Sequence, residues 1–334
     1  MRICVYGAGS IGCYVGGRLA ATGADVVLVG RERLAAEVAE HGLRLTDWQG
    51  ADLEVPPGGV RFETSPKGAE AAGLILVCVK SAGTEAAAAE LDVVAPADAK
   101  VISFQNGIGN TEVLRAKLPW RTVIPGMVQF NVVRRGAGAF HAGTQGGLDV
   151  ERSAELAPYL HDFARAGLPL HQHEDMPPVQ WAKLLLNLNN PVNALSGLPL
   201  KAELSQRGYR RCLGLAQTET IGLLAAAEIE PAKLTPVPPK LMARLLGVPD
   251  ALFARLARRM LAIDPHARTS MLDDLEDGRP TEIDYINGEV VRLAERLGRS
   301  APVNAKLVAL VHEAESGGRR QWSADDLYAA LRAA

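Results

Sequence analysis

The chain leaves a short apolar run, Ile3–Tyr6, and passes directly into Gly7-Ala8-Gly9-Ser10-Ile11-Gly12, after which the pattern turns helical from Cys13 to Ala21. No other feature restricts the fold so tightly. Gly7 permits a tight turn out of a strand, Gly9 lets backbone approach a pyrophosphate, and Gly12 lets the next helix lie close on a sheet. The free N–H groups and positive dipole end of that helix then face the phosphates, so residues 7–12 form an expected dinucleotide cradle. Three spaced glycines also serve ordinary turns. The strand before and the helix after give this set its meaning.

A second apolar run, Val26–Val29, is preceded by Asp25 and followed by Gly30-Arg31-Glu32-Arg33. An NAD site places a carboxylate near the end of this strand for the ribose 2′-hydroxyl, and Asp25 stands at the wrong end. A small residue followed by a guanidinium admits a 2′-phosphate, because arginine offers a planar fork of donors. Arg31 therefore predicts NADP(H). The competing reading is a solvated loop of mixed charge, which Glu32 keeps open.

Further apolar runs at Leu74–Val79, Val101–Phe104 and Val123–Val128 alternate with Ala-rich or charged stretches such as Arg33–Glu40 and Thr84–Leu91. That alternation implies a parallel sheet covered by helices on both faces. Gly136–Gly147 reads as the turns of an antiparallel extension, with late strands near Ala139–His141 and Leu168–His171. After Met176-Pro177-Pro178 the period becomes helical, over Trp181–Asn190, Arg207–Glu230, Ala251–Ile263, Tyr285–Leu297, Ala305–Glu315 and Asp325–Ala333. Ser323, three residues before Asp326, is a plausible cap for the last of these. The 334 residues are long for one core. The expected fold is α/β, a Rossmann-type doubly wound sheet over residues 1–174 that binds NADP, followed by an all-helical substrate and catalytic domain over 175–334.

Net charge is −2 with both signs interleaved, which argues against nucleic-acid binding and against a polybasic membrane patch. The first strand starts at residue 2, leaving no room for a signal peptide, and no apolar run approaches a bilayer span. Cys4, Cys13, Cys78 and Cys212 form no CxxC pair and read as small buried hydrophobes in a reducing compartment, so a cytoplasmic enzyme is expected. His171-x-His173 lacks a third ligand nearby and reads as a strand or loop feature, so no metal is expected. Oligomeric state is not readable; a homodimer stays open.

In an open parallel sheet the ligand lies outside the carboxyl ends of the strands. Those ends carry Gly7, Arg31, Lys80-Ser81 and Gln105-Asn106-Gly107, a crevice suited to a nicotinamide cofactor and its substrate, with Asn106 best placed near the nicotinamide. Taken singly, Lys80 is equally a snorkelling surface lysine and Asn106-Gly107 a turn. In the helical half, Lys183, Asn187 and Asn190 at i, i+4 and i+7 share one expected helix face, opposite a leucine-rich side. A solvent face is the bland alternative, but asparagines are poor helix formers and favour reading a site. Ser270-Met-Leu-Asp273 and Arg279-Pro-Thr281-Glu282-Ile-Asp284-Tyr285-Ile-Asn287-Gly288 form a second unusual segment, otherwise a charged helix–loop–helix connection.

Gly7–Gly12, Gln105-Asn106-Gly107, Lys183-Leu-Leu-Leu-Asn187, Ser270-Met-Leu-Asp273 and Thr281–Gly288, with Pro302-x-Asn304, resemble in order and over nearly the whole chain the ketopantoate reductase (2-dehydropantoate 2-reductase) family. The resemblance implies a Rossmann domain plus a helical domain, NADPH as cofactor, and a 2-oxo acid reduced at C2. It implies Lys183 as general acid, Glu282 as a carboxylate on the substrate, and Asn106, Asn187, Asn190 and Ser270 as positioning partners. Lys80 and Arg31 match cofactor-contacting positions. The stretch between Asn187 and Asn190-Pro191 is one residue shorter than the family pattern, which leaves Asn190 less firmly assigned than Lys183.

The chemistry of these residue types agrees. Hydride reaching a ketone carbon leaves negative charge on oxygen, which a nearby ammonium stabilises and protonates. Desolvation lowers a lysine pKa toward neutrality, and a carboxylate such as Glu282, if close, opposes that shift. The expected activity is NADPH-dependent reduction of 2-dehydropantoate to pantoate, toward pantothenate. The alternatives are the same reaction on another small 2-oxo acid and a non-catalytic NADP(H) sensor, for which a proton donor has no use.

Overall fold

Period-two alternation along short strands builds the first half of the chain. In the computed structural model, which describes residues 1–234, 237–258 and 267–334, the chain divides into two units, Met1–Met176 and Pro177–Ala334. The strands of the first are β1 (Ile3–Tyr6), β2 (Val26–Val29), β3 (Leu43–Asp47), β4 (Asp52–Val55), β5 (Arg61–Glu63), β6 (Leu74–Val77), β7 (Lys100–Ser103), β8 (Thr122–Val128), β9 (Val132–Gly136), β10 (Ala139–Ala142), β11 (Leu148–Glu151) and β12 (Leu170–His173). Its α-helices are α1 (Ser10–Ala21), α2 (Glu32–His41), α3 (Thr84–Val94), α4 (Asn110–Lys117) and α5 (Leu160–Arg165).

Eight strands form one sheet in the order β12-β11-β8-β7-β6-β1-β2-β5, parallel except where β11 meets β8. Ile3, Val5, Leu28, Leu76 and Ile102 point into one core, and Cys4, Tyr6, Val27, Val29, Ile75, Val77 and Val101 into the other. Full burial of each such aliphatic side chain is worth about 1.5–3 kcal/mol.

A second sheet, β4-β3-β10-β9, was not expected from the sequence beyond its β10 strand and the glycine-rich turns around it. It packs against α1, which therefore lies between two sheets. Adjacent glycines make that possible. A Cβ at Gly16 would lie 2.5 Å from Leu28 Cδ2 of the main sheet, and one at Gly17 would lie 2.8 Å from Leu45 Cδ1 of the second. The two late strands are β10 and β12, and β9–β10 is the antiparallel hairpin that the glycines allow. On β12, His173 pairs with Asp149 of β11 at 2.6 Å. All four cysteines are free.

The second unit is helical: α6 (Pro177–Asn187), α7 (Asn189–Ser196), α8 (Leu200–Leu204), α9 (Arg207–Ala226), α10 (Pro239–Leu245), α11 (Asp250–Leu256), α12 (Ser270–Glu276), α13 (Ile283–Arg296), α14 (Pro302–Glu315) and α15 (Ala324–Arg332). The long α9 packs on α10, α14 and α15, while α7 packs on α12 and α14. Ser323 Oγ accepts from Asp326 N at 3.2 Å, the expected cap of α15. The helix expected over Ala251–Ile263 corresponds to α11, and its residues 259–263 lie outside the described residues. The single helix expected over Trp181–Asn190 is two helices. Pro191 lacks an N–H and its ring crowds the carbonyl four residues back, that of Asn187, so α6 stops there and α7 restarts after Leu188. Among the described residues, no helix is long and apolar enough to cross a membrane.

Candidate active site

Strand order reverses at β1, which has β2 on one side and β6 on the other. Ligands of open parallel sheets bind outside the carboxyl ends at such a switch point. Gly7 leaves β1 with φ +104°, and a Cβ there would stand 2.5 Å from Val79 N and 2.7 Å from the Cys78 carbonyl carbon. Only glycine meets both demands. Gly12 is similarly closed, since its Cβ would lie 2.4 Å from Gly7 O. Gly9 differs: a Cβ there meets nothing within 4 Å, and the residue is exposed.

Ser10 and Ile11 are half-buried and begin α1, whose N-terminus no side chain caps. Ala8 N donates to Val29 O at 2.8 Å, binding the loop to the end of β2. The next residue, Gly30, is forced small by that loop, because its Cβ would fall 2.8 Å from Ala8 Cβ. Arg31 follows, exposed at the N-cap of α2, with Glu32 exposed in the first turn. An open backbone cradle beside uncapped N–H groups, with a guanidinium at the neighbouring strand end, fits a dinucleotide that bears a 2′-phosphate. Lys80 is exposed after β6 and Asn106 half-buried after β7, so these groups sit at the carboxyl ends of four adjacent strands.

In the second unit, Lys183 is 7% exposed in the middle of α6, and burial pushes its pKa from 10.5 down to about 8. Asn187, half-buried, is one turn onward. Asn190 does not share their face as the sequence spacing implied, because the break at Leu188 places it on α7. Ser270 is exposed as the first residue of α12, capped by Thr269, whose Oγ1 accepts from Leu272 N. Glu282 is half-buried at the N-cap position of α13.

The structure also separates scaffold from site within the motifs. Asn287, fully buried, donates to Asn304 Oδ1 at 2.9 Å, and Asn304 Nδ2 donates to Glu219 Oε1 at 2.8 Å. Glu219 also accepts from the N–H groups of Val303 and Asn304, closing the start of α14 behind Pro302. These residues bind three helices together. Sequence reasoning passed over Glu219, and it passed over Asn193 and Glu203. Fully buried Asn193 accepts at Oδ1 from Thr269 N and Oγ1, at 3.2 and 3.0 Å, and donates to Leu198 O. Glu203, also fully buried, accepts from Asn189 Nδ2 at 3.0 Å. The available signal was three asparagines in five residues, Asn189, Asn190 and Asn193, in an otherwise apolar helix.

Residues 3–155 match the family described as ketopantoate reductase PanE/ApbA, and residues 175–315 match its C-terminal counterpart. The chain belongs to the ketopantoate reductase family. A 2-dehydropantoate 2-reductase from Archaeoglobus fulgidus is 30% identical over 326 residues, spanning 95% of this chain and 98% of its own. Among solved structures, a PanE/ApbA family ketopantoate reductase from Ralstonia eutropha JMP134 is similar at TM-score 0.81 and 30% identity, covering 95% of this chain and 99% of its own. D-mandelate dehydrogenase, solved with NADH and anilino(oxo)acetate, shares the fold at TM-score 0.78 and 20% identity, over 95% and 99% of the two chains. Ketopantoate reductases are oxidoreductases that use NADPH.

Proposed function

We propose that this chain reduces 2-dehydropantoate to pantoate with NADPH, a cytoplasmic step of pantothenate biosynthesis, and that Lys183 supplies the proton. It is an oxidoreductase acting on a small 2-oxo acid. NADPH, when bound, supplies the hydride that reaches the C2 carbonyl carbon. Residues 7–12 hold the pyrophosphate through backbone N–H groups, Arg31 takes the 2′-phosphate, and Lys80 and Asn106 act at the cofactor from the next two strand ends.

The Lys183 ammonium gives one proton to the carbonyl oxygen as negative charge develops there, and recovers it from solvent after product leaves. With a pKa near 8 it is charged at neutral pH yet a stronger acid than an ordinary lysine, and this burial is the observation that carries the reading. Asn106, Asn187, Asn190 and Ser270 orient substrate oxygens without adding negative charge, and Glu282 accepts a hydrogen bond from the substrate. A homodimer is one assembly open to the chain, and a monomeric mass by light scattering would remove it.

Purified protein, NADPH and a panel of 2-oxo acids test the activity. Ketopantoate is expected to give the highest kcat/KM. Better turnover of another 2-oxo acid keeps the mechanism and replaces the substrate. No turnover with any of them leaves an NADP(H)-binding sensor. Glu282→Ala should raise KM strongly while NADPH affinity stays within about threefold, below about 1 kcal/mol; lost cofactor binding would mean that Glu282 has been misassigned.

A further inference from the structure

The turns that follow β6 and β7 are joined by buried side chains to which the reading above gives no role. Thr84, first residue of α3 and 2% exposed, has its hydroxyl 2.7 Å from Asn110 Oδ1 and 2.8 Å from Ser81 O, and it accepts from Gln105 Nε2 at 2.7 Å. Asn110, first residue of α4 and buried, donates through Nδ2 to Asn106 O at 2.6 Å and to Ser81 Oγ at 3.1 Å. Ser81 Oγ itself donates to Asn106 O at 2.8 Å. Gln105 spends its second N–H on Val79 O at 3.1 Å, and its Oε1 accepts from Ser103 Oγ at 3.0 Å.

Each end of this network terminates beside a site residue. Val79 and Ser81 flank Lys80, while Gln105 precedes Asn106, whose own carbonyl is held twice. A satisfied buried network is rigid, and removing one member leaves the others desolvated and unpaired. Besides the direct bonds from Ser81 Oγ to Asn106 O and from Gln105 Nε2 to Val79 O, the Thr84 hydroxyl and the Asn110 amide each touch both turns. We propose that Thr84 and Asn110 are positioning residues of the reduction: they fix the Asn106 turn against the Lys80 turn, and so set the geometry of hydride transfer more than cofactor affinity. The proposal rests on the reading that Asn106 works at the reacting groups.

Thr84→Val keeps the shape and removes the hydroxyl; Thr84→Ser keeps the hydroxyl. A displacement of about 1 Å at reacting groups costs on the order of 10²-fold. Thr84→Val should therefore lose about ten- to a hundredfold in kcat with the NADPH Kd within about threefold, and Thr84→Ser should stay near the unaltered enzyme. Combined with Asn106→Ala, the loss should be smaller than the product of the two single losses, because a misplaced Asn106 has less left to lose. Unaltered kcat in Thr84→Val, or losses that simply multiply, would overturn the proposal. If Thr84→Val does not fold, Asn110→Ala must show the same split between kcat and Kd, and normal kcat there sinks the idea. Impaired Asn106→Ala beside unimpaired Thr84→Val removes this proposal alone. Unimpaired Asn106→Ala removes the reading of Asn106 together with it.

Discussion

Burial acts in opposite directions on two buried side chains of the helical unit, Lys183 and Glu203. It pushes Lys183 from 10.5 to about 8, favouring the neutral amine. A general acid must be protonated, so the reductive kcat/KM should be level below about pH 8 and fall above it. Lys183→Met should lose on the order of 10²–10⁴ in kcat and lose that basic limb, with NADPH binding preserved. A methionine variant with near-normal kcat and the limb intact would place the proton donor elsewhere. Glu203 moves upward, from 4.5 to about 7, chiefly because burial disfavours its charge, with the bonds from Asn189 and Asn193 and the charge of Arg210 pulling back. A raised folded pKa adds stability that is complete below about 4.5 and is lost as pH rises through about 7. Denaturant melts of Glu203→Gln between pH 4.5 and 7.5 should show a flatter stability profile than the unaltered chain. An identical slope in both would remove Glu203 as its source.

Helix α1 and the α6–α7 pair show what elements ask of single positions. Alanine at Gly16 would force its methyl against Leu28 and Val5, a cost of about 1–3 kcal/mol, only partly offset by alanine's better helix propensity of about 1 kcal/mol. Alanine at Gly9 enters open space and should leave the melting point within a degree or two, yet obstruct the pyrophosphate and weaken NADPH at least roughly tenfold. Were Gly9→Ala to bind NADPH normally, the cradle would be misplaced. These elements also show what was legible. The strand–glycine–helix signal is local, set by residues within a dozen positions, and it reads directly. The second sheet was not, because β3, β4 and β9 are short and partly exposed, and Leu45 finds its partner Phe140 only far along the chain. The helix break was legible in Pro191, but the 3.6-residue period of Lys183, Asn187 and Asn190 masked it. Family motifs mark Asn287 and Ser270 alike; only burial tells the scaffold amide from the exposed hydroxyl.

For the whole molecule, the groups proposed to hold the cofactor all belong to the unit Met1–Met176, while Lys183, Ser270 and Glu282 belong to Pro177–Ala334. A ligand that binds only the folded form raises stability by its binding free energy, so NADPH is coupled first to the unfolding of the residues that hold it. At a hundredfold excess over Kd the gain is about 2.7 kcal/mol, which for a unit of this size raises Tm by roughly 5–10 °C. A charge-assisted bond from Arg31 to the 2′-phosphate is worth about 1.5–3 kcal/mol, enough for at least a tenfold preference over NADH. NADH at the same concentration should then yield about half the shift, since tenfold weaker binding removes about 1.4 kcal/mol. Arg31→Ala should bring the NADPH shift down to the NADH value and leave the NADH shift unchanged. Calorimetry with each cofactor on the full chain measures both. Equal shifts for NADPH and NADH in the unaltered protein would refute the role of Arg31, and the mixed charges at residues 31–33 would then be an ordinary solvated loop.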